Sequence, residues 1–152
     1  MKKYIGTKII MAKPGTLAEA QAIKSGMPEN KIKEIVADCT GDPGYIVQYP
    51  DNYISWSPKD VFEEAYRECD NMTFGLALEA LKKGCRVARK GWNGKGIYLE
   101  MQRPDEHSKM TLPYIYIVTN GLVTDNPDAP KGVVPWLASQ TDMLSVDWII
   151  VE

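Results

Sequence analysis

Arg89-Lys90-Gly91-Trp92-Asn93-Gly94-Lys95-Gly96 sets a tryptophan and an asparagine among cations and glycines. An indole ring is a stacking platform for a base, arginine and lysine match phosphate charge, and glycines let backbone amides come close to an anion. That combination suits a phosphate-bearing aromatic ligand. A second polar segment follows downstream, Val134-Pro135-Trp136-Leu137-Ala138-Ser139-Gln140-Thr141-Asp142, in which another tryptophan precedes a run of hydrogen-bonding side chains. Ser139 and Asp142 have the spacing of a capping box, so a short helix begins there. Its free amides suit a phosphate, and Gln140 and Thr141 suit a base or ribose edge. Asp142 would repel phosphate, which leaves it ribose hydroxyls, a purine amine or the cap itself. The candidate ligand-binding residues are therefore Arg89, Lys90, Trp92, Asn93, Trp136, Ser139, Gln140, Thr141 and Asp142.

Each feature has a bland counterpart. The glycine-rich stretch is also a good hairpin turn, and the capping-box spacing also simply starts a helix. Strand alternation puts Arg86, Ala88, Lys90 and Trp92 on one face and Val87 and Arg89 on the other, so the cations cannot all serve one site; Arg89 and Lys90, nearest the turn, are the better candidates. Tyr98, Tyr114 and Tyr116 fall on strands, where aromatic residues are favoured regardless of ligand. Trp56 and Trp148 are assigned to cores.

Catalytic patterns do not emerge. The glycine loop is not a Walker loop, because Arg89 stands where the first glycine belongs and Gly96 where a magnesium-holding Ser or Thr belongs. There is no Gly-x-Ser-x-Gly elbow and no His-Glu-x-x-His pair. His107 is the single histidine, in a loop without a partnered nucleophile. The expectation is a nucleotide pocket without catalytic residues, metal or cofactor.

Composition bounds the partners. With 152 residues, 44% hydrophobic and 25% charged, the chain has the balance of a globular protein. Its formal charge of −2 argues against DNA or RNA as partner, since such binding rests on many cation contacts to a polyanion. No apolar run nears the roughly 20 residues that a membrane span needs, and the start is too polar for a signal peptide, so a cytoplasmic protein is expected. Cys39, Cys69 and Cys85 are odd in number and widely spaced, which fits reduced thiols better than disulfides or zinc.

These loops need a scaffold, and the pattern predicts two modules, 1–70 and 72–152. In the first, an alternating stretch from Tyr4 to Met11 reads as a strand that ends in a turn at Pro14 and Gly15. Thr16 and Glu19 form a capping box for a helix stopped by Gly26 and Pro28. Residues 29–43 read either as a short helix from Lys31 to Ala37 or as a variable connection. Residues 45–49 and 53–56 form a hairpin around Pro50-Asp51-Asn52. Ser57 caps a helix with Pro58 at its first position and a buried stripe of Val61, Phe62, Ala65 and Tyr66, helical to Glu68. The join is placed at Cys69-Asp70-Asn71-Met72. In the second module Thr73 caps a helix bearing Phe74, Leu76, Ala77, Leu78, Ala80 and Leu81 at helical spacing, ended by Gly84. Strands follow at 86–90, 97–102, 114–119, 132–136 and 147–151, with one short helix over 140–145. The pattern is α+β with an antiparallel sheet.

Residues 72–152 resemble a phage-encoded family, the type-two Thoeris anti-defence proteins. The resemblance rests on Met72-Thr73-Phe74-Gly75, Glu79-Ala80-Leu81-Lys82-Lys83-Gly84, residues 87–96, Leu112-Pro113-Tyr114-Ile115, Pro135 to Leu144, and Asp147-Trp148. It implies a protein that holds the glycocyclic ADP-ribose signal of bacterial Thoeris defence without degrading it, in the cytoplasm of the infected host. It also implies a homotetramer with pockets near subunit boundaries, and in some members separate sites for cyclic di- or trinucleotides. The family's contacts carry over as candidates onto Trp92 and Asn93 and onto Ser139, Gln140, Thr141 and Asp142. The stretch 124–132 looks like an insertion able to reshape the pocket. Residues 44–66 look like a small accessory module of other phage proteins. Two competing functions remain: a nucleotide-signal hydrolase working through Asp142 and Lys95, and a phage structural or adaptor protein.

Overall fold

The computed structural model describes residue 1, residues 7–38 and residues 41–151. The chain divides into two compact units, Met1–Tyr66 and Arg67–Glu152, each with its own antiparallel sheet. The class is α+β, as its sequence predicts. No helix among the described residues is long and apolar enough to cross a membrane.

The first unit carries β1 (Met11–Gly15), α1 (Leu17–Lys24), α2 (Glu29–Asp38), β2 (Gly44–Gln48), β3 (Ile54–Pro58) and α3 (Lys59–Ala65), with sheet order β1-β2-β3. β1 begins where the expected strand was to end. Pro14 and Gly15 are paired within it, opposite Tyr45 and Gly44, and a proline is tolerated because β1 is an edge strand. Most of the expected strand's first half, Tyr4 to Gly6, lies outside the described residues, as does Cys39. Thr16 accepts from the Glu19 amide as the cap of α1. Of the two alternatives for 29–43, a helix forms, longer than the one weighed. The β2–β3 hairpin closes with Tyr49 N–H donating to Tyr53 O at 2.9 Å, and Asn52 takes φ 64°, the left-handed conformation asparagine tolerates.

The helix after the hairpin departs from expectation. Pro58 ends β3 and is itself the N-cap of α3, without a side-chain cap bond, because Ser57 is held in the ladder opposite Tyr45. α3 stops at Ala65, and no residue in it is fully buried. Val61 and Ala65 face solvent; only Phe62 and Tyr66 of the expected stripe are half-buried. They form a stacked ladder with Tyr45, ring centroids 4.2 Å and 4.8 Å apart. Aromatic stacking on the sheet thus replaces a buried aliphatic stripe.

The second unit carries α4 (Phe74–Lys82), β4 (Arg86–Arg89), β5 (Tyr98–Gln102), β6 (Tyr114–Val118), β7 (Val133–Pro135), α5 (Gln140–Met143) and β8 (Trp148–Val151). The sheet order is β7-β6-β5-β4-β8, with every pairing antiparallel. α4 is capped by Thr73 and closed by Gly84 at φ 88°. There the Gly84 and Cys85 amides reach back to Leu81 O and Ala80 O, the paired bonds that left-handed helix ends make. The helix buries Ala77, Ala80 and Leu81 against Val87, Leu99, Met72 and Trp148. The segment read as a join is structured: Met72 exchanges both backbone bonds with Trp148 (2.8 and 3.2 Å), and Ile150 donates to Cys69 O. Residues 69–72 thereby occupy the outer edge of β8. Cys69 and Cys85 are free thiols.

Candidate tryptophan-loop site

Trp148 is the fixed point of the site. Its side chain is fully buried, and its indole N–H donates to Asp142 O at 3.0 Å. Trp92 and Trp136 pack edge-on against it with centroids 5.5 and 6.1 Å away, and Phe74 of α4 lies at 5.4 Å. Such edge-to-face packing suits the ring quadrupoles. Trp92 and Trp136 are themselves 6.3 Å apart, so the two segments read as one pocket do converge on one aromatic cluster. Both rings are half-buried.

The carboxylate of Asp142 ties these segments together. Its Oδ1 accepts from Arg89 Nη1 at 2.8 Å and from Trp92 Nε1 at 3.1 Å. Its Oδ2 accepts from the Ser139 amide at 3.1 Å and the Ser139 hydroxyl at 2.6 Å. Four donors occupy the roughly four lone-pair sites a carboxylate offers. The Asp142 amide in turn bonds Ser139 Oγ at 3.1 Å, completing the capping box predicted for α5. Asp142 is 8% exposed. Burial pushes its pKa up, but the hydrogen bonds from Ser139, Arg89 and Trp92 outweigh that and bring it down to about 2.

Arg89 bridges two acids. Besides Asp142 it donates from Nε to Asp147 Oδ1 at 2.9 Å and from Nη2 to Oδ2 at 3.4 Å. The Asp147 bond and, against the cost of burial, the Asp142 bond hold its guanidinium more firmly protonated than usual. Asp147, missed as a site residue in the sequence, is held below its ordinary pKa, first by Arg89 and then by the Gly91 amide. Its sequence signals were its place directly before a core tryptophan and its membership of the Asp147-Trp148 block that carries the family resemblance. Strand alternation also misplaced Trp92: β4 ends at Arg89, and the turn beyond it swings Trp92 to the same carboxylate that Arg89 reaches.

The tryptophan loop is anchored at both ends. Gly91 N–H donates to Asp147 Oδ2 at 2.8 Å. At the far end, Val123 N–H donates to Lys95 O at 2.9 Å, and Gly96, at φ 77°, lies so close to Gly121 O that a Cβ would collide with it. Lys90 reaches Asp70 at 3.2 Å and Asn71 at 3.1 Å, and Lys95 donates to Lys90 O at 2.8 Å. Asn93, Gln140 and Thr141 are exposed, with Thr141 Oγ1 2.8 Å from Ser139 Oγ. The stretch 124–132 is closed at its base by Thr119, which exchanges bonds with both the amide and the carbonyl of Gly132. His107 lies in an exposed loop beside Glu106 at 3.4 Å.

On the far face of the sheet, Glu100 receives Arg86 Nε at 2.7 Å and the Tyr116 hydroxyl. Arg86 also lies over the Tyr98 ring at 5.0 Å. Arg86 is therefore engaged apart from Arg89, as strand alternation required of that pair, whereas Trp92, which alternation had placed with Arg86, lies with Arg89.

A five-stranded antiparallel sheet with one packed helix and a tryptophan-lined, acid-bridged loop pair defines the second unit, and family comparison covers that same unit. Residues 72–151 match the sequence profile of the Thoeris anti-defense 2-like domain, and the chain belongs to that family. It is 38% identical over 85 residues to Thoeris anti-defense 2 of Bacillus phage SP01, a match spanning 53% of this chain and 96% of that protein.

Proposed function

We propose that this chain is a phage anti-defence protein that binds glycocyclic ADP-ribose, the signal made by TIR-domain enzymes of Thoeris defence, and sequesters it intact in the host cytoplasm. The observation that carries this is the convergence of Trp92 and Trp136 on one aromatic cluster, with exposed Asn93, Gln140 and Thr141 on the segments that bear them. Rings for stacking and neutral polar groups for ribose and base edges are what such a ligand requires. Membership in an anti-defence family supports the same reading.

The state of the acids supports holding without cleaving. A general acid or base works best with a pKa near the operating pH, whereas Asp142 is driven to about 2 and its oxygens are occupied by four donors. Lys95 is turned to a backbone carbonyl. The hydrogen bonds of Asp142 and Lys95 thus favour a structural part for the pair that a signal hydrolase would use.

Affinity sets a further requirement. A useful sponge needs roughly nanomolar binding, about 12 kcal/mol, while stacking on two rings gives about 2 to 6 kcal/mol. The balance must come from phosphate contacts and ribose hydrogen bonds in a water-poor cavity. A unit of this size builds such a cavity more readily between copies, so the protein works as a homo-oligomer, a tetramer in our reading. Exposed Leu137 (90%) and Leu144 (80%), flanking the polar segment, supply apolar surface for that assembly. Residues 1–70 serve as an accessory module in folding and assembly, and cyclic di- or trinucleotides are further candidate ligands at separate sites.

The test is capture and release. Purified protein is mixed with glycocyclic ADP-ribose, freed of unbound material, heat-denatured, and the released compound identified by chromatography and mass spectrometry. Intact ligand in proportion to protein is the expected result. A cleaved product would establish the hydrolase instead, and no capture of this ligand or of cyclic oligonucleotides would leave the adaptor reading.

A further inference from the structure

Asp147 lies between the buried start of β8 and the first residues of the tryptophan loop. Its neighbour Trp148 is fully buried and locked to Met72 by a reciprocal pair of backbone bonds. From that fixed position the carboxylate sends one oxygen to Arg89 Nε at 2.9 Å and the other to the Gly91 amide at 2.8 Å. Its backbone carbonyl also accepts from the Lys90 amide at 3.1 Å. The side of the guanidinium bearing Nε and Nη2 is thus held by Asp147, which leaves Nη1 to meet Asp142 Oδ1, the oxygen on which the Trp92 indole ends. Only arginine's planar fork can bridge two carboxylates in this manner.

We propose that Asp147 is a positioning residue of the ligand site, setting the pose of Trp92 by two routes, through Gly91 at the start of the loop and through Arg89 and Asp142 at the indole nitrogen. The proposal rests on the reading of Trp92 as a ligand-stacking ring. Asp147 itself acts through its neighbours and not on the ligand.

The experiment compares Asp147→Asn with the unaltered protein for affinity toward glycocyclic ADP-ribose, and repeats the comparison in a Trp92→Phe background. It also records the indole N–H resonance of Trp92 by NMR without ligand. Asp147→Asn should weaken binding by about tenfold, the worth of one charged hydrogen bond, and should move the Trp92 indole resonance; in the Trp92→Phe background, where the nitrogen route is absent, the loss should shrink. Should Asp147→Asn fold poorly, Gly91→Ala is the second variant, because its added Cβ would stand 2.6 Å from Asp147 Oδ2 and displace that carboxylate. It should give the same signature. Unchanged affinity together with an unmoved indole resonance would overturn the proposal, as would an equal loss in both backgrounds, which marks a general structural effect. If the unaltered protein captures no ligand, the reading of the site fails, and the indole resonance alone decides whether Asp147 positions Trp92.

Discussion

Trp92 donates its indole N–H to Asp142 Oδ1 at 3.1 Å across 50 residues of chain, and the same oxygen receives Arg89 at 2.8 Å. A ring suited to stacking is therefore also a structural donor, which changes how substitutions there must be designed. Trp92→Ala removes a half-buried ring packed on Trp136 and Trp148 and should cost about 2 kcal/mol or more of stability whether or not the ring binds ligand. Trp92→Phe is the sharper variant. It keeps a stacking face, leaves Arg89 on the carboxylate, and should cost about 1 kcal/mol for the lost hydrogen bond. Urea denaturation of both variants, with capture of glycocyclic ADP-ribose measured alongside, should show Phe retaining weakened binding and Ala losing it. Full capture by a folded Trp92→Ala protein would exclude the ring from the site.

Acid should loosen this same junction. Asp142 has a folded pKa of about 2 against an ordinary 3.8, so its folded value is depressed. The stabilisation is complete above the unfolded value and is lost as pH falls from about 4 through about 2. The shift corresponds to about 2 kcal/mol, and Asp147, also lowered, adds to it in the same direction. Denaturant midpoints measured between pH 6 and pH 2 should fall steeply below pH 4 in the native sequence. In Asp142→Asn the fall should be shallower from a lower starting point. Parallel curves would mean that other carboxylates govern acid unfolding.

Most of the second unit was legible because its signals are local. Thr73 and Gly84 bracket α4, alternation marks β5 and β6, and Ser139 with Asp142 announces α5; each depends on neighbours a few residues apart. The first unit was less legible where tertiary context overrode local preference. Pro14 reads as a strand breaker until β1 proves to be an edge, and Ser57 reads as a cap until β2 claims it for the ladder. At the site, the sequence supplied the two tryptophans but not the bridge between their segments. Asp142 is 53 residues from Arg89 and 50 from Trp92, Asp147 is 58 from Arg89, and no periodicity relates them. The face on which Trp92 lies was lost for a similar reason, since alternation holds only while the strand lasts and β4 ends at Arg89.

Two glycines with left-handed backbones should respond differently to alanine. Gly84, at φ 88°, has nothing within 4 Å of an added Cβ, so Gly84→Ala should cost about 1 kcal/mol for the backbone conformation alone. Gly96, at φ 77°, would in addition drive its Cβ into the Gly121 carbonyl. Gly96→Ala should therefore cost more than Gly84→Ala by about 1 kcal/mol or more and displace the end of the tryptophan loop, lowering affinity as well. Thermal unfolding of the two variants checks the order. Equal costs would mean that residues 121–123 yield freely and do not anchor the loop.

Asn93, Gln140 and Thr141 offer the cleanest separation of binding from folding. All three are exposed, while the helix cap beside them is made by Ser139 and Asp142, so none is needed to keep α5 in place. Replacing each by alanine should change stability by no more than about 0.5 kcal/mol. If they meet ribose or base edges, each substitution removes a hydrogen bond to the ligand, Thr141 losing in addition its exposed contact with Ser139 Oγ, and should weaken affinity by roughly threefold to tenfold. Ser139→Ala should behave in the opposite manner, costing about 1 kcal/mol of stability through the lost cap because its hydroxyl is spent on Asp142. Titration calorimetry with glycocyclic ADP-ribose and urea denaturation on the four variants would place each residue. Unaltered affinity in all three exposed variants would move the polar contacts of the ligand away from α5 and the tip of the tryptophan loop.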